Sequence, residues 1–103
     1  MSDILNTISQ KCNPIFDNLD FVEKAYVFGS YAKGTNDDSS DIDIVVELNK
    51  TMDHNFFQLY PDLEKVTSKK IDIYIIDELD HRFLNSIRKD FKIIYERKNT
   101  NNV

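Results

Sequence analysis

The amino-acid sequence predicts an α/β fold, with a single small domain in which a mixed β-sheet of about four strands is flanked by helices. Its 103 residues are enough for one modest hydrophobic core. Runs with helical apolar spacing and short apolar or alternating runs follow one another in the order helix, strand, strand, helix, strand, helix, strand. The shares of 41% hydrophobic and 30% charged residues are those of a globular protein.

The first predicted element is an N-terminal helix, because apolar side chains recur there at helical spacing. They are Ile4, Leu5, Ile8, Cys12, Ile15, Phe16 and Leu19. Pro14 lacks a backbone donor, so we expect a kink or break near residues 11–13, with Asn13 capping a second short helix. Cys12 is the lone cysteine and lies on the apolar stripe, which predicts a buried thiol and a cytoplasmic protein.

Four short runs of apolar and β-branched residues predict the strands of the sheet. They span residues 25–28, 41–48, 71–76 and 91–95. The second run alternates, so Ile42 and Ile44 are expected on one face and Asp41 and Asp43 on the other. The third run is nearly all apolar, which is typical of a central strand buried on both faces.

Two further helices are expected between these strands. The apolar pattern over residues 53–68 predicts one, with Pro61 as a local disturbance, and the pattern over residues 80–89 predicts the other. The residues of this last helix that should face inward are Phe83, Leu84 and Ile87. The polar residues from Glu96 onward are expected to fray. The domain is therefore assigned to residues 1–97, with a tail over residues 98–103.

A glycine-bounded turn between the first two strands is suited to a phosphate. Gly29 ends the first strand, and residues 30–33 predict a single helical turn that Gly34 stops. Glycine lets a backbone approach a phosphate closely, Ser30 offers a hydroxyl and an amide, and Lys33 adds a cation. A lone Gly-Ser pair is also common in ordinary turns, so its function depends on the residues that follow it.

Three carboxylates on two predicted strands form a candidate metal site. Asp41 and Asp43 share one strand face, and Asp72 is the only charge in the third run. If the two strands are neighbours, these acids converge as in a two-metal site for phosphoryl or nucleotidyl transfer. Structural alternatives exist, because Asp-x-Asp is usual on a solvated strand face and Asp72 could pair with a buried lysine or arginine.

The charge of the chain limits its partners. The net charge is −5, and between Gly34 and Leu48 there are acids but no base. This acidity argues against a nucleic-acid partner, whose phosphates it would repel. No run approaches the roughly 18 apolar residues of a membrane helix, and no signal peptide is apparent, so no membrane association is expected.

Residues 26–47 carry a more specific pattern. An apolar strand leads into Gly29-Ser30, a second glycine follows, and then come Asp41 and Asp43 within Ser-Asp-Ile-Asp-Ile. This order resembles the signature of the DNA polymerase beta-like nucleotidyltransferase superfamily, and Asp72 within Lys-Ile-Asp-Ile matches its third acid. In its small size the chain also resembles the minimal nucleotidyltransferase group, whose members often pair with a helical HEPN protein in prokaryotic toxin–antitoxin modules.

The resemblance implies a polymerase beta-like nucleotidyltransferase fold and a role for each matched residue. The implied nucleotide-binding residues are Gly29, Ser30 and Lys33. Lys33 stands where this group commonly has arginine, so the planar fork for bidentate phosphate binding is lost. Asp41 and Asp43 would bind two Mg²⁺ ions, and Asp72 would bind the catalytic ion and help to deprotonate the acceptor.

The resemblance also implies an enzymatic antitoxin, which transfers AMP from ATP to a hydroxyl group of its HEPN toxin within a hetero-oligomer. A tyrosine of the toxin is the expected acceptor. One alternative is nucleotidylation of a small molecule such as an antibiotic. A second alternative is a non-catalytic antitoxin that neutralises its partner by binding. The intact Gly-Ser pair and the three acids favour catalysis.

Overall fold

The computed structural model describes residues 3–98, which form a four-stranded sheet and its helices. The helices are α1 (Asp3–Asp17), α2 (Ser30–Lys33), α3 (Leu59–Thr67) and α4 (His81–Arg88), and the strands are β1 (Val22–Phe28), β2 (Ile42–Leu48), β3 (Ile71–Ile75) and β4 (Lys92–Glu96). Short 3₁₀ helices span His54–Gln58 and Ile76–Glu78. Apart from Lys98, the predicted tail lies outside the described residues. No helix between residues 3 and 98 has the length and apolar character needed to span a bilayer.

The sheet has the strand order β3-β2-β1-β4. β1 is antiparallel to both β2 and β4, whereas β2 and β3 are parallel and are joined by a crossover that contains α3. The predicted mixed sheet is confirmed, but the central position expected for the third run is wrong, because β3 is an edge strand. Its apolar composition has another cause. Ile73 and Ile75 pack against the core, while the Tyr74 ring contacts the Phe83 ring of α4.

α1 runs without interruption through Pro14, so the break predicted near residues 11–13 is wrong. A proline inside a helix costs about 3 kcal/mol, and burial of the apolar stripe, at about 2 kcal/mol for each large side chain, outweighs it. The buried stripe consists of Leu5, Ile8, Cys12 and Phe16. Asn13 is not a cap. Its Nδ2 donates to Ser9 O at 2.7 Å and to Ile94 O at 2.6 Å, which fastens α1 to β4.

The two later helices follow the prediction in outline. The run over residues 53–68 is a 3₁₀ helix followed by α3, and Pro61 lies in the first turn of α3, where a missing N–H costs no intrahelical bond. The Asp80 side chain caps α4 by accepting from the backbone amides of Arg82 and Phe83. No side chain of α4 is buried, and Phe83 is 39% exposed, so the inward packing expected of this helix is only partial.

The fraying expected from Glu96 onward is wrong for the first two of these residues. Glu96 ends β4, and Arg97 is held by backbone carbonyls at the junction of α1 and β1. The Arg97 Nε donates to Val22 O at 2.8 Å, and its Nη2 donates to Leu19 O at 2.6 Å and to Phe16 O at 3.1 Å. A charged side chain that satisfies several carbonyls is a fixed part of the fold.

Arg97→Lys is expected to lower the free energy of unfolding by about 2 kcal/mol, because an ammonium cannot donate to three carbonyls from one planar fork. Urea denaturation measures this loss. The matched control is Arg82→Lys on exposed α4, which should change the free energy by less than about 0.5 kcal/mol. Equal losses in the two variants would show that the Arg97 contacts do not stabilise the fold.

Candidate active site

Three residues from three strands form a row on the sheet face opposite α1 and α3. The register sets Phe28 opposite Asp43, and Asp43 opposite Asp72. Residues paired in register point to the same face, so the two acids lie side by side, with Cα atoms about 4.8 Å apart. Ile42 and Ile44 are only 1% and 0% exposed and belong to the core on the other face. The alternation predicted for this strand is therefore confirmed.

Asp41 lies one residue before β2 and is half-buried. It is two residues from Asp43, so the alternation of the strand directs both side chains to the same side. Its charge acts on Asp43, as described below. The structure thus brings Asp43 and Asp72 into direct register, whereas Asp41 lies outside this row, two residues before Asp43.

The electrostatics of the row are unfavourable for a carboxylate. Burial raises the pKa of Asp43, and the charges of Asp72 and Asp41 raise it further. The ion pairs between residues 3 and 98 involve other carboxylates, those of Asp17, Asp20, Asp90 and Glu96. The alternative in which Asp72 pairs with a buried lysine or arginine therefore has no support. Like charges gathered in this way are common at sites that bind a cation, although ion-free acidic clusters also occur in proteins.

Gly29 forms the wall of the site next to Asp43. Its backbone, at φ 73° and ψ −148°, adopts a conformation that glycine alone tolerates. A Cβ atom at this position would lie 2.5 Å from Asp43 Oδ2. The backbone of the turn after β1 therefore lies directly against the Asp43 carboxylate at Gly29. Ser30 follows immediately as the first residue of α2 and is half-buried, so the predicted Gly-Ser turn lies beside the row.

Lys33 is directed elsewhere. Its Nζ lies 3.9 Å from Asp90 Oδ2, in the loop between α4 and β4. The Lys33 side chain is 56% exposed and that of Asp90 is 24% exposed, so the lysine is the freer partner of this pair. The sequence offered no signal for Asp90, because the contact joins residues far apart in the chain. A phosphate that engages Lys33 has to compete with this carboxylate.

Aromatic rings border the acids, a feature that sequence reasoning missed. The Phe28 ring lies 5.4 Å from that of Tyr74 and 6.2 Å from that of Phe83, centroid to centroid. Burial raises the pKa of Tyr74, and the charges of Asp43 and Asp72 add to the effect. Tyr74 therefore lies within electrostatic reach of both acids. The spacing of Asp72 and Tyr74, two residues apart on one strand, was the available signal.

The donor set suits Mg²⁺ in its chemistry. Magnesium is usually held by one or two carboxylates together with the phosphates of a nucleotide. Asp43 and Asp72 supply such a pair, with Asp41 nearby. Between residues 3 and 98, no group of three or more His, Cys, Asp or Glu side chains is arranged to hold a metal ion unaided. Cys12 is no ligand, because burial raises the pKa of its thiol to about 12.

Residues 10–100 match the model of a protein family described as "Polymerase beta, Nucleotidyltransferase". The chain is also similar to "Putative protein adenylyltransferase MJ1215" of Methanocaldococcus jannaschii, with 43% identity over 53 residues, which are 50% of this chain and 62% of that relative. "Putative protein adenylyltransferase MJ0128" of the same organism is 35% identical over 71 residues, covering 67% of this chain and 72% of the relative. The match to the first of these spans less than two thirds of its length.

Solved structures resemble the fold. A chain of a toxin–antitoxin complex with AMP-PNP superposes with a TM-score of 0.70 and 24% identity, covering 91% of this chain and 74% of that chain. A chain of the complex between tri-AMPylated Shewanella oneidensis HEPN toxin and MNT antitoxin superposes with a TM-score of 0.62 and 21% sequence identity. The match covers 91% of this chain and 71% of that chain. At these identities the likeness shows the fold alone. The polymerase beta-like fold predicted from residues 26–47 is confirmed.

Gly29→Ala should lower the free energy of unfolding by about 3 kcal/mol. Alanine disfavours this backbone conformation, and its methyl group would clash with Asp43 Oδ2. Gly34→Ala is the matched control. Gly34 has φ 78° with no atom within 4 Å of the added Cβ, so only the left-handed strain of about 1 kcal/mol applies. Urea denaturation compares them, and Asp43→Ala should raise the stability of the Gly29→Ala variant more than it raises that of the wild type. Equal losses in the two glycine variants, or an equal effect of Asp43→Ala in both backgrounds, would contradict the close approach.

Asp43→Asn should stabilise the protein at neutral pH in a chelating buffer. The pKa of Asp43 is raised in the folded state, so the folded protein retains a proton that the unfolded chain has lost, and stability falls as the pH rises between the two pKa values. The full loss of stability caused by the Asp43 charge is present above the raised pKa of the folded protein, and it is absent below the ordinary carboxyl pKa. The variant's higher melting temperature should therefore vanish at acid pH. Asp38→Asn, in an exposed loop, is the control that should show no such pH-dependent gain.

Proposed function

The chain belongs to the polymerase beta nucleotidyltransferase family, and from this premise we propose that it is a Mg²⁺-dependent protein adenylyltransferase that transfers AMP from ATP to a hydroxyl group. The observation that carries the proposal is the pairing of Asp43 and Asp72 on neighbouring strands, with Gly29 seated against Asp43. ATP as the donor is supported by the names of the M. jannaschii relatives and by the AMP-PNP in a structural relative.

Each site residue has a proposed role. Gly29 and Ser30 hold the triphosphate, because a backbone without a side chain permits close approach and the hydroxyl can donate. Asp41, Asp43 and Asp72 would hold Mg²⁺ together with the phosphates. When bound, the ions neutralise the phosphates and acidify the acceptor hydroxyl. Burial and then the charges of Asp72 and Asp41 raise the pKa of Asp43, and this fits the role because a bound cation offsets the repulsion among the three acids.

The proposed reaction is an in-line substitution at the α-phosphorus. The acceptor oxygen forms a bond to this phosphorus, while the bond from the α-phosphorus to the bridging β-oxygen breaks. Pyrophosphate leaves with the electron pair, and the proton of the acceptor hydroxyl passes to the Asp72 carboxylate. Asp72 is on the edge strand β3, where an acceptor can approach without displacing an inner strand.

Lys33 is proposed as a third phosphate contact, in competition with Asp90. An exposed ion pair at 3.9 Å contributes little to stability, so a triphosphate can draw the ammonium away at small cost. Lysine offers a point charge without a planar fork, so we expect it to attract phosphate without fixing its orientation.

The proposed partner is a small helical toxin of the HEPN type, in a hetero-oligomer, with a tyrosine as the acceptor. Its support comes from the structural relatives, which are chains of toxin–antitoxin complexes, one of them with a tri-AMPylated HEPN toxin. The net charge of −5 and the acids around the site favour a basic partner surface, with association that weakens in salt.

Incubation of the chain with ATP, Mg²⁺ and a HEPN-type partner should add one or more AMP units to the partner, measured by intact mass. Asp43→Asn should lower the rate more than about 100-fold, beyond the effect of residues that only orient ligands. Asp38→Asn carries the same charge change in the exposed loop and should retain the activity. Peptide mapping should then find the modification on a tyrosine.

The same assay tests the non-catalytic alternative. An unchanged partner mass, together with full neutralisation by Asp41→Asn/Asp43→Asn, would show that the chain acts by binding alone. Covalent modification of Ser30 during turnover would contradict its role as a phosphate contact, because direct in-line transfer forms no covalent enzyme–nucleotide intermediate.

A further inference from the structure

Three rings lie next to the acids on the same sheet face, and we name them the aromatic cluster: Phe28, Tyr74 and Phe83. The centroid of Phe83 lies 6.2 Å from that of Phe28 and 6.1 Å from that of Tyr74, and the Phe28 and Tyr74 centroids are 5.4 Å apart. Each ring therefore contacts both others. These distances are those of favourable aromatic pairs, which orient rings as well as bury them.

The rings of the cluster differ in exposure. Phe28 is 5% exposed and lies at the bottom of the cluster, whereas Tyr74 is half-buried and Phe83 is 39% exposed. Val45, which is in register with Tyr74, is fully buried. If the ring of Phe83 served only to shield Val45 from water, deeper burial of the ring would stabilise the fold further. Phe83 instead keeps a large part of its surface free, on a helix with no buried side chain.

The cluster is continuous with the proposed triphosphate site at two points. Phe28 immediately precedes Gly29 and is in register with Asp43. Tyr74 follows Asp72 by two residues on the same strand face, a displacement of about 7 Å. A nucleotide with its phosphates at Gly29 and the acids carries its base one ribose away, which is a comparable distance.

We propose that the aromatic cluster is the base-binding platform of the enzyme, on which Phe83, supported by Phe28 and Tyr74, stacks the purine of the bound triphosphate. This inference rests on the proposed function. Stacking uses the face of the ring system and involves no hydrogen bond to the edge of the base. The platform should therefore favour the larger purines over pyrimidines and distinguish ATP from GTP only weakly.

The surroundings of Phe83 favour a base over a protein surface. Its neighbours on the exposed side of α4 are polar or charged: His81, Arg82, Asn85 and Ser86. Phe83 is the exposed large apolar side chain of α4, because Leu84 and Ile87 of the same helix are partly buried. Protein contacts usually need a broader buried centre, whereas a single half-exposed ring matches one nucleobase.

The absence of tryptophan from the sequence allows a direct test. Phe83→Trp introduces a single emitter at the platform, and stacking on a purine should quench its fluorescence in a saturable way with ATP and with GTP. Inorganic tripolyphosphate should bind without quenching, because it lacks a base. The control is Phe57→Trp, on the 3₁₀ helix before α3, where the native ring is 65% exposed and no response to ATP is expected.

Calorimetry on two further variants separates stacking from simple covering. Phe83→Ala and Phe83→Leu should both weaken ATP binding about 10-fold or more, since neither has a ring, while tripolyphosphate affinity stays unchanged. Leucine in Phe83→Leu restores an apolar side chain without restoring the ring. Melting temperatures near that of the wild type would exclude unfolding of either variant as the cause of weaker ATP binding. Recovery of ATP affinity in Phe83→Leu would overturn the stacking role.

The outcomes also distinguish this inference from the proposed function. Wild-type protein that binds ATP and modifies its partner, with unchanged affinity in both ring-less variants, would overturn the platform alone. Loss of partner binding in Phe83→Ala, with ATP affinity intact, would make Phe83 a protein contact and would overturn it too. Wild-type protein that binds neither ATP nor tripolyphosphate would overturn both proposals.

Discussion

The register of β2 between β1 and β3 is the constraint on which the site depends. It sets Asp43 beside Phe28 on one side and beside Asp72 on the other. Because side chains alternate along a strand, a slip of one residue would turn Asp43 into the core and expose Ile44, which is fully buried. The burial of Ile42 and Ile44 in the core prevents that slip. Packing on the hydrophobic face of β2 therefore fixes the position of the acids on its other face.

This arrangement concentrates like charge where the fold offers no compensation. The pKa of Asp43 is raised by burial and by two neighbouring acids, and the ion pairs between residues 3 and 98 lie elsewhere. Gly29 closes the same spot with a backbone conformation that other residues cannot adopt. Strain and repulsion at one place are typical of sites where binding a ligand compensates for a local loss of stability.

Local features of the fold and site could be predicted from the sequence. The alternation around Asp43, the Gly29 turn and the helical turn after it depend on residues close in the chain, and the structure reproduces them. The errors concern distant contacts. β3 is apolar because Ile73 and Ile75 pack against the core while Tyr74 packs against rings of β1 and α4, and this composition suggested a central strand. The Lys33–Asp90 pair joins segments 57 residues apart, and no local pattern reports it.

The ties between α1 and β4 have a consequence for how the protein forms as it is synthesised. Asn13 donates to a carbonyl 81 residues further along the chain, and Arg97 donates to carbonyls of α1 and the turn that follows it. α1 is synthesised before the sheet, and the strand that fastens it, β4, is the last of the four strands to be synthesised. Such contacts of long sequence separation slow folding. The apolar stripe of α1 can pack with β1, β2 and α3 beforehand, but its attachment to β4 forms last, and chaperone demand should be greatest before that step.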